Sequence, residues 1–393
     1  MPTPDVLSQA PILELLQELI AIASVNPTLA PGESKGEAAL AAYARDWMTQ
    51  RGLEAWLEEI APGRPNVVGA VGSGDGPTLV LCGHIDTVSA RAMTIAPYEP
   101  RREGARVYGR GSYDMKGGVA AVMAALAALK DDDLHGRVLA ALVVDEEHGS
   151  IGADDFVRRH EADACVVTEP TEGKLVLTHK GFVWAELVTL GAAAHGSRWD
   201  LGVSAIGRMG RIVAALERFD VDELRSRADA RVGPASLHCS LIEGGVGVST
   251  YAPECRLQVE RRTLPGETLD QVAAELKGVV TRSGEAATVN PYFHRSPLAC
   301  DPDAPIARCV REAAAVITGA APQESGVAYW TDAAVFDAAG IPALLYGPGG
   351  DGAHAAVEWV DLDSVVSCAR VLREVALRFC RADPAGGDGR RSR

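Results

Sequence analysis

Short apolar runs that stop at polar or glycine-rich breaks recur along this chain, and that rhythm limits what it can fold into. Asn66 to Val71, Thr78 to Cys82, Val138 to Val144 and Ala164 to Val167 read as strands. Between two of them, Met115 to Leu129 is rich in Ala, Leu and Met and reads as a buried helix that begins just after Asp114. Apolar residues at helical spacing also mark Val6 to Ser24 and Gly36 to Gln50. Strands alternating with helices imply an α/β fold, with a central mixed sheet flanked by helices.

The pattern changes after Lys174. A long run from Val176 to Leu190 precedes a helical stretch, Val203 to Phe219, strands near Ser236 to Ile242 and Arg256 to Arg262, and a helix over Leu269 to Thr281. That set reads as a small α+β unit. Beyond Pro291 the first kind of signal returns at Ala304 to Ile317, Ile341 to Tyr346 and Asp363 to Phe379. The 393 residues exceed what one hydrophobic core usually serves. A core domain interrupted by an inserted domain follows from both observations, and the Gly/Arg-rich tail 384–393 is expected to be disordered.

A formal charge of −15 without any dense Lys/Arg run argues against nucleic acid or an anionic membrane as partner. Met1 to Gln9 carries no secretory pattern, and no apolar run reaches the roughly 20 residues that span a bilayer. The eight cysteines form no CxxC pair and read as small buried residues of a reducing compartment. The cytoplasm is the expected location.

The chemistry lies where strands end. His84 and Asp86 follow the run Leu79 to Cys82, at the position where α/β folds present functional groups. Residues two apart on an extended chain share a side, so Asp86 is expected to accept the second imidazole N–H of His84. Taken alone, this His-x-Asp is a common loop pair. Asp114 sits among the glycines of Gly109-Arg-Gly-Ser-Tyr-Asp-Met-Lys-Gly-Gly118, immediately before a helix, where an ordinary helix cap would also stand.

Asp145-Glu146-Glu147 ends another strand with three like charges, which repel unless cations neutralise them. One glutamate could hold an ion while its neighbour takes a proton from the attacking water. Glu169, in Thr168-Glu-Pro170, and His354, in a glycine-rich loop, each offer one further ligand. Two imidazoles and three carboxylates without thiolate favour zinc, cobalt or manganese in a hydrolytic site.

These segments, in order and spacing, resemble the M20 metallopeptidases, a group that includes acetylornithine deacetylase, succinyl-diaminopimelate desuccinylase, aminoacylase and glutamate carboxypeptidase. The resemblance spans nearly the whole chain. It implies two divalent ions, most simply zinc, bridged by Asp114, with His84 and Glu169 on one and Glu147 and His354 on the other. It also implies Glu146 as general base, Asp86 as the residue that orients His84, and a cis peptide between Asp114 and Met115.

An inserted lid that dimerises belongs to the same resemblance, and it would span 178–290, between catalytic segments 1–177 and 291–383. His195, in Gly191-Ala-Ala-Ala-His-Gly-Ser197, matches the lid histidine that reaches the other subunit's active site to stabilise an oxyanion. Arg262 matches the position that holds a substrate carboxylate. Ser249 stands where many relatives carry Asn, which removes the basis for carrying over a substrate contact there.

The implied activity is hydrolysis of the amide bond of an N-acyl amino acid or small peptide carrying a carboxylate. A dipeptidase or an N-carbamoyl hydrolase would use the same centre, and a carboxylate-binding dimer without turnover is the alternative from another class. The presence of Glu146 beside all five presumed ligands weighs against the last.

Overall fold

The computed structural model describes residues 5–72 and 76–381, so the tail expected over 384–393 lies outside the described residues. Two compact units divide the chain: residues up to 177 with 300–325 and 331 onward form the first, and 178–299 with 326–330 form the second.

The first unit opens with helices α1 (Gln9–Ala21) and α2 (Ala38–Gln50), then strands β1 (Glu54–Ala61), β2 (Arg64–Gly72) and β3 (Thr78–His84). Helix α3 (Gly117–Ala128), strand β4 (Arg137–Val143), helix α4 (Ile151–Arg159) and strands β5 (Ala164–Val167) and β6 (Leu175–His179) follow. Every residue of α3 from Gly117 to Leu126 is buried, which suits a helix that is apolar all round. It starts two residues later than Met115, because Asp114 (φ −111°, ψ 94°) and Met115 (φ −132°, ψ 38°) are not helical. The peptide between them is cis.

In the second unit, β7 (Gly181–Leu190), helix α5 (Ala205–Asp222), β8 (Ser236–Gly244), β9 (Glu254–Thr263), helix α6 (Leu269–Arg282) and β10 (Thr288–Arg295) build an antiparallel sheet in the order β8-β9-β7-β10. Side chains alternate along β9, and its buried Cys255, Leu257 and Val259 join Met209, Ile212 and Leu216 of α5 and Val272 and Leu276 of α6 in a separate core. Ser204 caps α5 by accepting from the Gly207 amide, and Thr268 with Gln271 forms a capping box on α6. The boundary read at 290 falls inside β10. Pro291 is absorbed by a bulge between Pro291 and Phe293, and the second unit runs on to Ala299.

The chain returns to the first unit with α7 (Pro305–Thr318), α8 (Ala333–Ala338), β11 (Ala343–Leu345) and α9 (Leu362–Phe379). Its sheet runs β1-β2-β4-β3-β5-β11-β6. The strands β4, β3, β5 and β11 are parallel neighbours, whereas β1, β2 and β6 pair antiparallel, so the sheet is mixed as expected. Parallel neighbours end on one edge. In register, His84 faces Val143 and Cys82 faces Val167, so the segments that follow β3, β4 and β5 emerge side by side.

Candidate metal centre

That shared edge gathers residues distant in sequence. His84 is the last residue of β3, Asp145, Glu146 and Glu147 follow β4, and Glu169 follows β5. Asp114 enters from the loop before α3, and His354 from the loop beyond β11. Donor atoms of His84, Asp114 and Glu169 lie within 4.8 Å of one another, as do those of Asp114, Glu147 and His354. Asp114 belongs to both sets. Its Oδ1 lies 3.1 Å from Nε2 of His84, and its Oδ2 lies 3.0 Å from Nε2 of His354. His354 also reaches Oε2 of Glu147 at 3.1 Å, and Glu169 Oε1 lies 3.9 Å from His84 Nε2.

The donor set passes a test of fit for divalent cations. Three carboxylates and two imidazoles converge in a largely buried space, and carboxylates so placed repel unless positive charge joins them. Burial and the charge of Glu169 hold the Glu146 carboxyl well above its ordinary value; burial and Asp114 raise that of Glu169, and burial with Asp114 raises that of Glu147. Asp114 moves the other way: burial would raise it, but His354 and His84 pull it below the ordinary range. Burial opposes protonation of His84, yet Asp114 and Asp86 raise it well above its usual value, and Asp114 and Glu147 raise His354 to about 10. Glu146 belongs to neither set.

Asp86 departs in one respect from the reading of the sequence. The Nδ1 of His84 lies 3.0 Å from the main-chain carbonyl of Asp86, while the carboxylate is 3.5 Å away. Its carboxylate oxygens accept instead from Asn26 Nδ2 at 2.8 Å and from the amides of Glu146 and Glu147, each at 3.2 Å. The Asp86 carbonyl thus meets the ring, and its carboxylate holds the loop bearing Glu146 and Glu147. The pKa of Asp86 follows: burial would raise it, but His84 and those donors lower it.

Asp145 is an anchor and not a donor to either set. Its φ of 72° places it in the left-handed region, unusual for a residue with a side chain, and partners fix it there. Arg64 meets its Oδ1 at 2.7 Å, Asn26 donates to the same oxygen at 3.0 Å, and Arg64 also pairs with the fully buried Glu37. Asn26, Arg64 and Glu37 escaped the sequence reading. The available signal was only that three consecutive carboxylates at a strand end call for positive charge nearby.

The remaining expected residues lie in the second unit. His195 is exposed, with Nδ1 2.9 Å from Ser197 Oγ, and its loop is tied to the segment carrying Ser249 by the Gly196 amide donating to the Ser249 carbonyl at 2.7 Å. Arg262 lies on β9, paired with Glu260 at 2.8 Å and with its guanidinium 5.3 Å from the centre of the Phe182 ring.

Comparison with known proteins gives the class first: a metal-dependent hydrolase that acts on C–N bonds of amides. The sequence profile of peptidase family M20/M25/M40 matches residues 80–378, and the chain belongs to that family. It is similar to acetylornithine deacetylase of Myxococcus xanthus, 30% identical over 354 residues that cover 86% of this chain and 91% of that one. Its fold is similar to an aminopeptidase of Bacillus cereus, at a TM-score of 0.78 and 19% identity, covering 96% of this chain and 100% of the other. A dinuclear metal-binding peptidase of the M20 family from Bacillus subtilis shares the fold at a TM-score of 0.73 and 15% identity, over 95% and 98% of the two chains. Among the described residues, no helix is long and apolar enough to cross a membrane.

Proposed function

We propose that the protein removes the acyl group from an N-acyl amino acid or cleaves a small peptide, using two divalent ions, most simply zinc with cobalt or manganese as substitutes. The observation that carries this reading is Asp114, which offers one carboxylate oxygen to each of two donor sets while Glu146 stands outside both. His84, Asp114 and Glu169 would hold one ion and Asp114, Glu147 and His354 the other. When bound, such a pair supplies Lewis acidity that acidifies water and polarises a carbonyl.

The side chains do the rest. Glu146, which stands outside both donor sets, takes a proton from the attacking water at its carboxylate and returns it to the leaving nitrogen. Asp86 fixes the loop that aims it. Arg262 presents a guanidinium to the substrate carboxylate. His195, contributed by a second copy of the chain, donates to the oxyanion as it develops. Dimerisation through the second unit is supported by the edge strand β8, whose Leu241 and Ile242 are exposed together with Ile206 of α5 and Val246 and Val248 of the following loop. Eight free cysteines support a cytoplasmic location.

The similarity to a deacetylase favours an acylated amino acid over a peptide. The test is a screen of zinc- and cobalt-loaded protein against N-acetyl, N-succinyl and N-carbamoyl amino acids and dipeptides. Turnover of an N-acyl amino acid is expected. Cleavage confined to dipeptides or to ureido compounds would replace this reading by the corresponding one.

A further inference from the structure

Behind the donor sets lies a buried ion pair that the proposed chemistry does not use. Glu358, fully buried, accepts from the Arg110 guanidinium at 2.7 Å and the Gly111 amide at 2.9 Å through Oε2, and from the amides of Tyr113 and Asp114, each at 3.0 Å, through Oε1. Four donors saturate one carboxylate. Arg110, itself 1% exposed, donates its other terminal nitrogen to the carbonyls of Ser89 at 3.1 Å and Ala355 at 3.2 Å. One end of the pair therefore grips the main chain of Asp114, and the other grips the residue next to His354.

We infer that Glu358 and Arg110 are positioning residues that hold Asp114 and His354 in mutual register, and so set the affinity of the Asp114/Glu147/His354 site for its cation. This rests on the ligand assignment proposed above. The two donor sets are supported unequally. His84 ends β3 and Glu169 follows β5, so the sheet fixes them, and only Asp114 of that set depends on the pair. In the other set, two of three members depend on it. His354 needs such a hold: it is half-exposed, sits in a loop and has a φ of 61°. The geometry also makes the pair intolerant of conservative change. Glutamine at 358 would turn an amide nitrogen, a donor, toward two of the four donors, and lysine at 110 could not span Glu358 and two carbonyls from one ammonium.

The test is titration of metal-stripped protein with Co²⁺, followed by visible absorption and calorimetry, for wild type, Glu358→Gln, Arg110→Lys and His354→Ala. Folding of each metal-free variant is checked by circular dichroism. Wild type is expected to bind two ions. Glu358→Gln should bind one of them about 10- to 100-fold more weakly, the usual size when a group supporting a ligand is lost, and leave the other within a few fold. The weakened site should be the one lost in His354→Ala, so adding Glu358→Gln to His354→Ala should leave the remaining site as it is in His354→Ala alone. Arg110→Lys, which keeps a cation beside Glu358, should weaken the same site less, and it carries the test if Glu358→Gln does not fold. Unchanged affinities in a folded variant, or equal weakening of both ions, would overturn the positioning role while leaving the ligand assignment intact. A wild type that binds fewer than two ions would overturn both.

Discussion

Three consecutive carboxylates end in three environments, and the difference comes from what each meets and not from their chemistry. Asp145 is tied to Arg64 and Asn26, Glu147 turns toward His354, and Glu146 meets neither. Glu146→Gln should therefore keep both ions and lose about 10²- to 10⁴-fold in kcat, because an amide cannot accept the proton of water. Steady-state kinetics with metal analysis checks this; a variant with most of its activity would remove Glu146 from the mechanism. The candidate donors could be picked out in the sequence because each stands at a strand end or in a glycine-rich segment. Their supports could not. Asn26 precedes Asp145 by 119 residues, and Glu358 lies 244 residues beyond Asp114, so no local pattern links them. A lone Glu or Arg carries no mark of the main-chain amides it will meet.

At the scale of elements, long apolar runs were readable even without periodicity, as in α3, whereas short or mixed segments were missed, among them the nine-residue helix α4, Ile151–Arg159. The strand β1, Glu54–Ala61, mixes three glutamates with apolar residues and has no fully buried position, so it shows no core-facing run. The strand β10 contains Pro291 and is half-exposed along its length. Where α3 crosses the sheet, the constraint is a missing side chain: a Cβ on Gly118 would lie 2.3 Å from the Thr168 carbonyl oxygen, next to Glu169. Gly118→Ala should destabilise by roughly 1–3 kcal/mol through overpacking, despite the better helix propensity of Ala. Gly210, in the interior of α5, has nothing within 4 Å of its Cβ position, and Gly210→Ala should stabilise by about 0.5–1 kcal/mol. Urea unfolding of the two variants should thus give opposite signs. A stable Gly118→Ala would show that α3 can move away from the end of β5.

At the scale of the molecule, crowded carboxylates make metal-free protein sensitive to pH. Glu146, Glu147 and Glu169 are raised, chiefly by burial, and His84 and His354 are raised by neighbouring carboxylates, His354 to about 10, although its half-exposure lets solvent screen its share. The three glutamates make the folded state bind more protons than the unfolded one above their ordinary value of 4.5, and the two histidines do so above 6.5, so their contribution to stability falls as pH rises; Lys116, lowered to about 7 by burial, opposes this between about 7 and 10.5. Asp86 and Asp114 are lowered and stay ionised throughout that window. With chelator, Tm should drop from about pH 5 to about pH 7, below the range in which Lys116 works the other way, and added Zn²⁺ should raise it more at pH 7 than at pH 5; a chelated Tm that climbs over that range would contradict the crowding. Subunit number gives the last test. If His195 serves the site of a second copy, His195→Ala should lower kcat and leave metal content unchanged, since His195 is in neither donor set. Mixing it with Glu146→Gln should then restore up to about a quarter of the wild-type rate, because random exchange makes half the dimers mixed and gives each one complete site. Subunit exchange is shown separately by mass-tagged subunits. Leu241→Glu, on the exposed edge β8, should yield folded monomers by sedimentation and lose activity as His195→Ala does. A fully active monomer, or a mixture that stays inactive after proven exchange, would end the case for His195 acting between subunits.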